Sequence, residues 1–439
     1  MPFLPLLLAL SLLGAPPDKL ADARAQIEAG QAHAAATTLA TMLKAKEGDE
    51  HAVRMLLAEA QIADGAPDRA LITLEPLVTP EDAPVLRLLA RAFRANGDRL
   101  AAQGARHSDD AASMYEQAAD YLGRAAAAGD ASAGSEAGFI ELYQLGDAPA
   151  ARARAEALLA KDPANGEALL LRGCTLVNAC WTADKAGDTA AAKDMHDKAV
   201  ADLLAADTAL GGKRPEPAFQ LCWLYEQSGD AEKAVQAAAD WCDRLPQKDA
   251  SRLYQLARRY VGEKRWAPAS NALLAIVQRD PALLTNLVKA EQDPTKAAVE
   301  LSWAIQPLID AQRGRPAKDI LAALCAAGPQ DADLWNNYGL VARDTQAFEE
   351  SWRAYEQALT LRPDDANLLN DGAVLLHYYL HRDYDKAQAM YEKSIEISTN
   401  LLAAPDKLTA EQKAAAQKAK TEATANLQNL AKGVHDWRG

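Results

Sequence analysis

The chain has 439 residues, with 47 Lys and Arg against 61 Asp and Glu, a net charge of −14. A surface of that sign works against nucleic acid and anionic lipid, whose binding rests on clustered Lys and Arg. At 25% charged and 49% hydrophobic residues the composition is that of an ordinary folded soluble protein. Alanine, the best helix former, is abundant, and no run alternates in the manner of a strand, so the chain reads as all-α.

The first element is the apolar run Phe3–Leu13. It is too short to span a bilayer and has the length of a signal-peptide core, so residues 1–15 are expected to be a signal peptide and the protein periplasmic or extracellular. A buried first helix in a cytosolic adaptor, or a wrongly chosen start codon, is the other reading. The segment before the run lacks Lys and Arg, and a cut after Ala15 leaves Pro16 next; cuts after Gly14 or Ala23 are the substitutes. Pro16 also stands where a lipid-bearing cysteine would follow "LLGA", which argues against lipid anchoring. No other segment is long and apolar enough to insert stably in a membrane.

From about residue 20 onward one spacing recurs. A small residue is followed twelve later by a second, and twelve after that by proline: Gly339, Ser351, Pro363; Ala257, Ala269, Pro281; Cys222, Ala234, Pro246. Phe139, Ala151, Pro163 and Ile305, Ala317, Pro329 have a larger first residue; Ala23 with Ala35 and Ala58 with Ala70 lack the proline; Ala373 and Ala387 carry two extra residues between them. Helices approach to the short end of about 8–10 Å only where side chains at the contact are small. The spacing therefore predicts helical hairpins, with one small residue on each helix. Gly30, Gly65, Gly146 and Gly229, each five before the second small residue, supply the turn, and proline closes the second helix.

The stretch Trp335-Asn-Asn-Tyr-Gly339, then Ser351-x3-Tyr355, then Pro363, resembles the tetratricopeptide repeat, a helix–turn–helix of about 34 residues. Tyr338 replaces the usual Leu and Ser351 the usual Ala. The resemblance covers residues from about 20 to 400 and rests on repetition rather than on any single copy. It implies a right-handed α-solenoid, here residues 16–405 with about nine hairpins, longer ones near 98–125 and 174–210, and an irregular joint at 282–300. Residues 406–439 read as a capping helix and tail: Thr409 with Gln412 makes a capping box, Leu427 and Leu430 can pack inward, and Lys413, Lys418, Lys420 and Glu422 suit a polar outer face. The cysteines at 174, 180, 222, 242 and 325 are odd in number and irregularly spaced, so they are read as buried thiols, with one opportunistic disulfide as the alternative.

In such a stack the first helix of each hairpin lines the concave face, and its residues are the candidates for partner binding. Arg87, Arg91 and Arg94, spaced i, i+4, i+7, share one helical stripe that could grip carboxylates. Tyr143, Trp223, Tyr254, Arg258, Asn336, Arg343, Asn370 and His377 complete the set. The full Lys–Asn clamp by which some members of the family hold a chaperone tail is missing. His377 and His381 stand i, i+4 with Asp383 and Asp385 behind them, too partial a set for a metal. Trp303, Trp335 and Trp352 read as core between helices. No phosphate loop, nucleophile elbow, paired C-x-x-C or dinucleotide fingerprint occurs, so neither catalytic residues nor a cofactor is expected. The function expected is a non-enzymatic scaffold binding a protein or peptide in its groove. A groove for a glycan or small molecule, or an enzyme with its site there, are the rivals.

Overall fold

The computed structural model describes residues 18–404, 406 and 408–436, so the signal-peptide expectation for 1–15 lies outside the described residues. The chain is an all-α solenoid of antiparallel hairpins, in two compact units divided between Leu224 and Tyr225. The first unit pairs α1 (Lys19–Glu28) with α2 (Ala32–Ala45), α3 (Glu50–Ala63) with α4 (Pro67–Leu74), α5 (Ala83–Ala102) with α6 (Ser108–Ala127), α7 (Ala133–Tyr143) with α8 (Ala148–Lys161), and α9 (Gly166–Lys185) with α10 (Thr189–Ala209). Helix α11 (Glu216–Gln227) carries the boundary.

The second unit holds α12 (Ala231–Arg244), the pair α13 (Ser251–Gly262) and α14 (Trp266–Arg279), then three short helices, α15 (Pro281–Lys289), α16 (Pro294–Ser302) and α17 (Gln306–Asp310). α18 (Gly314–Cys325) packs against all three. The pairs α19 (Ala332–Asp344) with α20 (Phe348–Leu361) and α21 (Ala366–Val374) with α22 (Tyr384–Leu402) follow, and α23 (Ala410–Ala431) lies against α21 and α22.

The small residues sit where the hairpins cross. Ala23, Ala35, Ala58, Ala70, Ala257 and Ala269 are all 0% exposed. Asp or Asn caps many of the helices: Asp49, Asp147, Asn165, Asp331 and Asp365 each accept a backbone N–H of the first turn. At the hairpin turn Gly65 takes φ +77°. Three hairpins of the second unit place Lys264, Gln312 and Gln346 at the same turn position, and these adopt φ +57°, +56° and +63°. The geometry of the turn, not the residue, is what repeats.

The two extra residues between Ala373 and Ala387 are absorbed in a widened π turn, Leu375–Tyr379, and in left-handed His381 and Asp383. The capping box of Thr409 and Gln412 forms in both directions, at 3.0 and 3.1 Å. Ala423 of α23 joins the apolar cluster of Trp352, Tyr355, Leu369 and Tyr391, with Leu427 and Leu430 packed against it. All five cysteines are free and buried. Trp335 and Trp352 pack in the core, but Trp303 departs from expectation: it sits in a 3-10 turn, Trp303–Ile305, and is 66% exposed. No helix among the described residues is long and apolar enough to cross a membrane.

Candidate interaction groove

Four first helices of the N-terminal unit, α5, α7, α9 and α11, bring their faces together around two adjoining cavities of about 460 and 260 Å³. Close approach of α7 and α9 depends on Gly138, where a Cβ would collide with the Leu171 side chain. The cavities share Tyr143 and Cys174.

The larger cavity is polar at one end, and the arginine stripe divides there into three roles. Arg87 is a structural bolt: its guanidinium donates to Asp130 at 2.6 Å, to Ser132 at 2.6 Å and to Glu136 at 2.5 Å, tying α5 to the start of α7. Burial opposes ionisation of Asp130, yet hydrogen bonds from Arg87 and Ser132 hold its carboxyl below the ordinary range. Arg91 is exposed and lines neither cavity. Arg94 is exposed, lines the cavity and has no ion pair among the described residues. The three arginines thus do not form one grip, because neighbouring carboxylates neutralise the first.

Arg214, which no spacing in the sequence singled out, closes the same end by pairing with Glu167 at 2.5 Å and Glu216 at 2.9 Å. Ser135 is 1% exposed, lines the cavity, and its hydroxyl has no hydrogen-bond partner among the described residues.

The smaller cavity is aromatic. Tyr143, 58% exposed, stacks parallel to Phe139 one turn earlier. Trp181, 47% exposed and also missed from sequence, has Lys185 Nζ 3.7 Å from its ring centre. Trp223 completes the wall, with Asn178 and Gln220 between; the Gln220 amide donates to the Tyr143 hydroxyl at 3.5 Å. Trp181 lies in the extended α9, whose extra residues hid it from a count based on the twelve-residue spacing.

The C-terminal unit treats its candidates differently. Tyr254 is 7% exposed and donates to Glu291 at 2.8 Å. Arg258 is held by Glu291 at 3.4 Å and Glu300 at 2.8 Å. Asn370 and His377 are 3% and 0% exposed, covered by the chain's own C-terminus. Asn370 accepts from Asn426 of α23 at 3.1 Å, and His377 meets the Val434 carbonyl at 3.0 Å and the Tyr391 hydroxyl at 3.3 Å. Both ring nitrogens of His377 are therefore engaged. Here the sequence reading needs correction: Tyr254, Asn370 and His377 face other helices rather than solvent, because α15, α16 and α23 cover the face they were expected to expose. Asn336 and Arg343 stay partly exposed on α19.

The α19–α20 hairpin has the geometry of the repeating unit, and residues 332–365, which contain it, match the model of the tetratricopeptide repeat family. The chain carries a tetratricopeptide repeat at these residues. No curated protein matches the sequence. Among solved structures, this chain is similar to MamA, at 18% identity over 45% of this chain and 98% of MamA, with a TM-score of 0.26. It is similar to TTC0263, a thermophilic TPR protein of Thermus thermophilus, at 21% identity over 55% and 96%, TM-score 0.28. It is also similar to a human IFIT1 dimer with PPP-AAAA, at 14% identity over 78% and 82%, TM-score 0.32.

Proposed function

We propose that this chain is a non-enzymatic interaction scaffold whose N-terminal unit holds an extended segment of a partner protein in the groove of α5, α7, α9 and α11. The observation that carries this reading is the pairing of an uncommitted cation, Arg94, with exposed Tyr143 and Trp181 on neighbouring first helices. Helices already folded around a groove lose little freedom on binding, so contact energy goes into affinity. An aromatic anchor in the smaller cavity, flanked by a carboxylate against Arg94, matches the hot-spot chemistry of protein interfaces. Recognition rather than turnover is the role.

The test is capture of partners from the native extract by the intact chain, beside Arg94→Glu and Trp181→Ala, with Arg91→Glu as a surface control. Loss of the same band in the first two variants alone supports the reading. Bands that survive both variants overturn it. A second reading, a glycan, is favoured by the aromatic walls of Tyr143, Trp181 and Trp223 with the amides of Asn178 and Gln220 between them. Binding to an oligosaccharide panel that Trp181→Ala abolishes, with no protein captured, would select it. Export is part of the proposal, and the mature N-terminus, read by mass spectrometry, tests it: a start at residue 1 or 2 overturns it in favour of a cytosolic adaptor.

A further inference from the structure

A cavity of about 640 Å³ in the C-terminal unit opens between two hairpin turns, the one joining α17 to α18 and the one joining α19 to α20. Left-handed Gln312 and Gln346 tighten these turns and line the cavity. Gly314 starts α18 hard against the second turn. A Cβ there would stand 2.9 Å from the Cγ2 of Thr345, so glycine is what lets the two turns come this close.

Part of the wall is apolar, formed by Ile309 and Val341, and Ile309 is 38% exposed. Arg313 and Arg315 line the same cavity, are exposed, and have no ion pair among the described residues. Asp344 is the one carboxylate in the lining, and Arg343 already holds it, at 3.0 and 2.9 Å. The uncommitted charge of the cavity is therefore that of two guanidiniums, in a chain of net charge −14. Guanidinium pairs best with a carboxylate, by parallel hydrogen bonds, while an apolar wall gains by being covered. A bare anion would leave Ile309 and Val341 in water. A peptide that sets an aliphatic side chain among carboxylates meets both demands.

We propose that this cavity docks an acidic segment of a partner protein, with carboxylates against Arg313 and Arg315 and an aliphatic side chain against Ile309 and Val341. The contact belongs to the C-terminal unit and needs nothing from the N-terminal groove, so either can fail without the other.

The test uses the full chain and three fluorescein-labelled, end-capped heptapeptides: Glu-Gly-Glu-Leu-Glu-Gly-Glu, the same with glycine for leucine, and the same with glutamine for every glutamate. Anisotropy is read at matched ionic strength, all in the Arg94→Glu background, which removes the N-terminal groove from the measurement. The net charge repels an acidic peptide over distance, so a preference for one reports a local site. The first peptide is expected to bind about tenfold tighter than the glutamine form and about threefold tighter than the glycine form. Arg313→Glu and Arg315→Glu are each expected to cost about threefold, and the two together about tenfold. Lys413→Glu reverses an exposed cation of α23 outside the cavity and is expected to leave binding unchanged. Binding indifferent to Arg313 and Arg315 overturns the proposal, as does an equal loss with Lys413→Glu, which would mean diffuse attraction. Equal affinity for the leucine and glycine peptides overturns the role given to Ile309 and Val341.

Discussion

The hydroxyl of Ser351 donates to the backbone carbonyl of Gly339 at 2.7 Å where α20 crosses α19, and both residues are buried. The bond explains why serine serves at a position that is alanine in other hairpins of the chain. It ties the two helices at the point where they come closest. Ser351→Ala is expected to cost about 1 kcal/mol in urea unfolding, the net worth of one such bond. Gly339→Ala places a methyl 3.1 Å from the Tyr355 ring, tighter than ordinary contact, and is expected to cost at least as much. A neutral Ser351→Ala would mean that the bond to Gly339 adds no net stability.

Gln346 sits at φ +63° in the turn of the same hairpin, where Gly65 serves in an earlier one. Left-handed backbone strains a side-chain-bearing residue by about 1–2 kcal/mol, partly offset by the greater freedom of glycine when unfolded. Gln346→Gly is therefore expected to stabilise by up to about 1 kcal/mol, and Lys264→Gly likewise. Thermal melts of the two single variants and the double variant check this; a fall in melting temperature contradicts it.

Arg87 and Arg94 share a helix face but should fail differently. Arg87→Ala leaves Asp130 and Glu136 without their cation and is expected to destabilise by about 1–2 kcal/mol, reduced from the fully buried case because Arg87 is 34% exposed. Arg94→Ala is expected to leave stability within about 0.5 kcal/mol. Equilibrium unfolding of both variants decides it, and equal effects would mean that Arg87 is not the bolt described.

Burial lowers the pKa of His377, and the other histidines around it, His435 and His381, add to the shift. The rings of Tyr378, Tyr384 and Tyr391 also pack against it. A histidine that protonates more readily when unfolded stabilises the fold fully above its ordinary pKa. That contribution is lost as pH falls from about 6.5 toward the lowered folded value. The attachment of the Val434 segment is thus expected to weaken as pH falls below the ordinary histidine range, read as faster amide exchange in 423–436. His377→Gln should flatten that dependence. An unchanged slope would place the titrating group elsewhere.

Burial also raises the thiols of Cys174 and Cys242 to about 11. The native chain is expected to show no titratable thiol toward a disulfide reagent at about pH 8, and five after denaturation. Three would reveal a disulfide.

The period of small residues, the turn glycines and the closing prolines determined the hairpin fold, because each is a local requirement of two helices crossing closely. Ala58 with Ala70 and Gly339 with Ser351 announce their crossings without reference to anything distant. The Thr409–Gln412 capping box is equally local. What the sequence could not decide was which first-helix residues stay open. Arg87 was read as a free cation, but Asp130 and Glu136, over forty residues away, neutralise it. Asn370 and His377 fell on the expected face, and the C-terminal helix folds back over them. Trp181 and Arg214 joined the groove only because α9 and the start of α11 converge on α7. Local geometry is written in nearest neighbours along the chain, whereas exposure and charge pairing depend on partners that only the tertiary packing brings together.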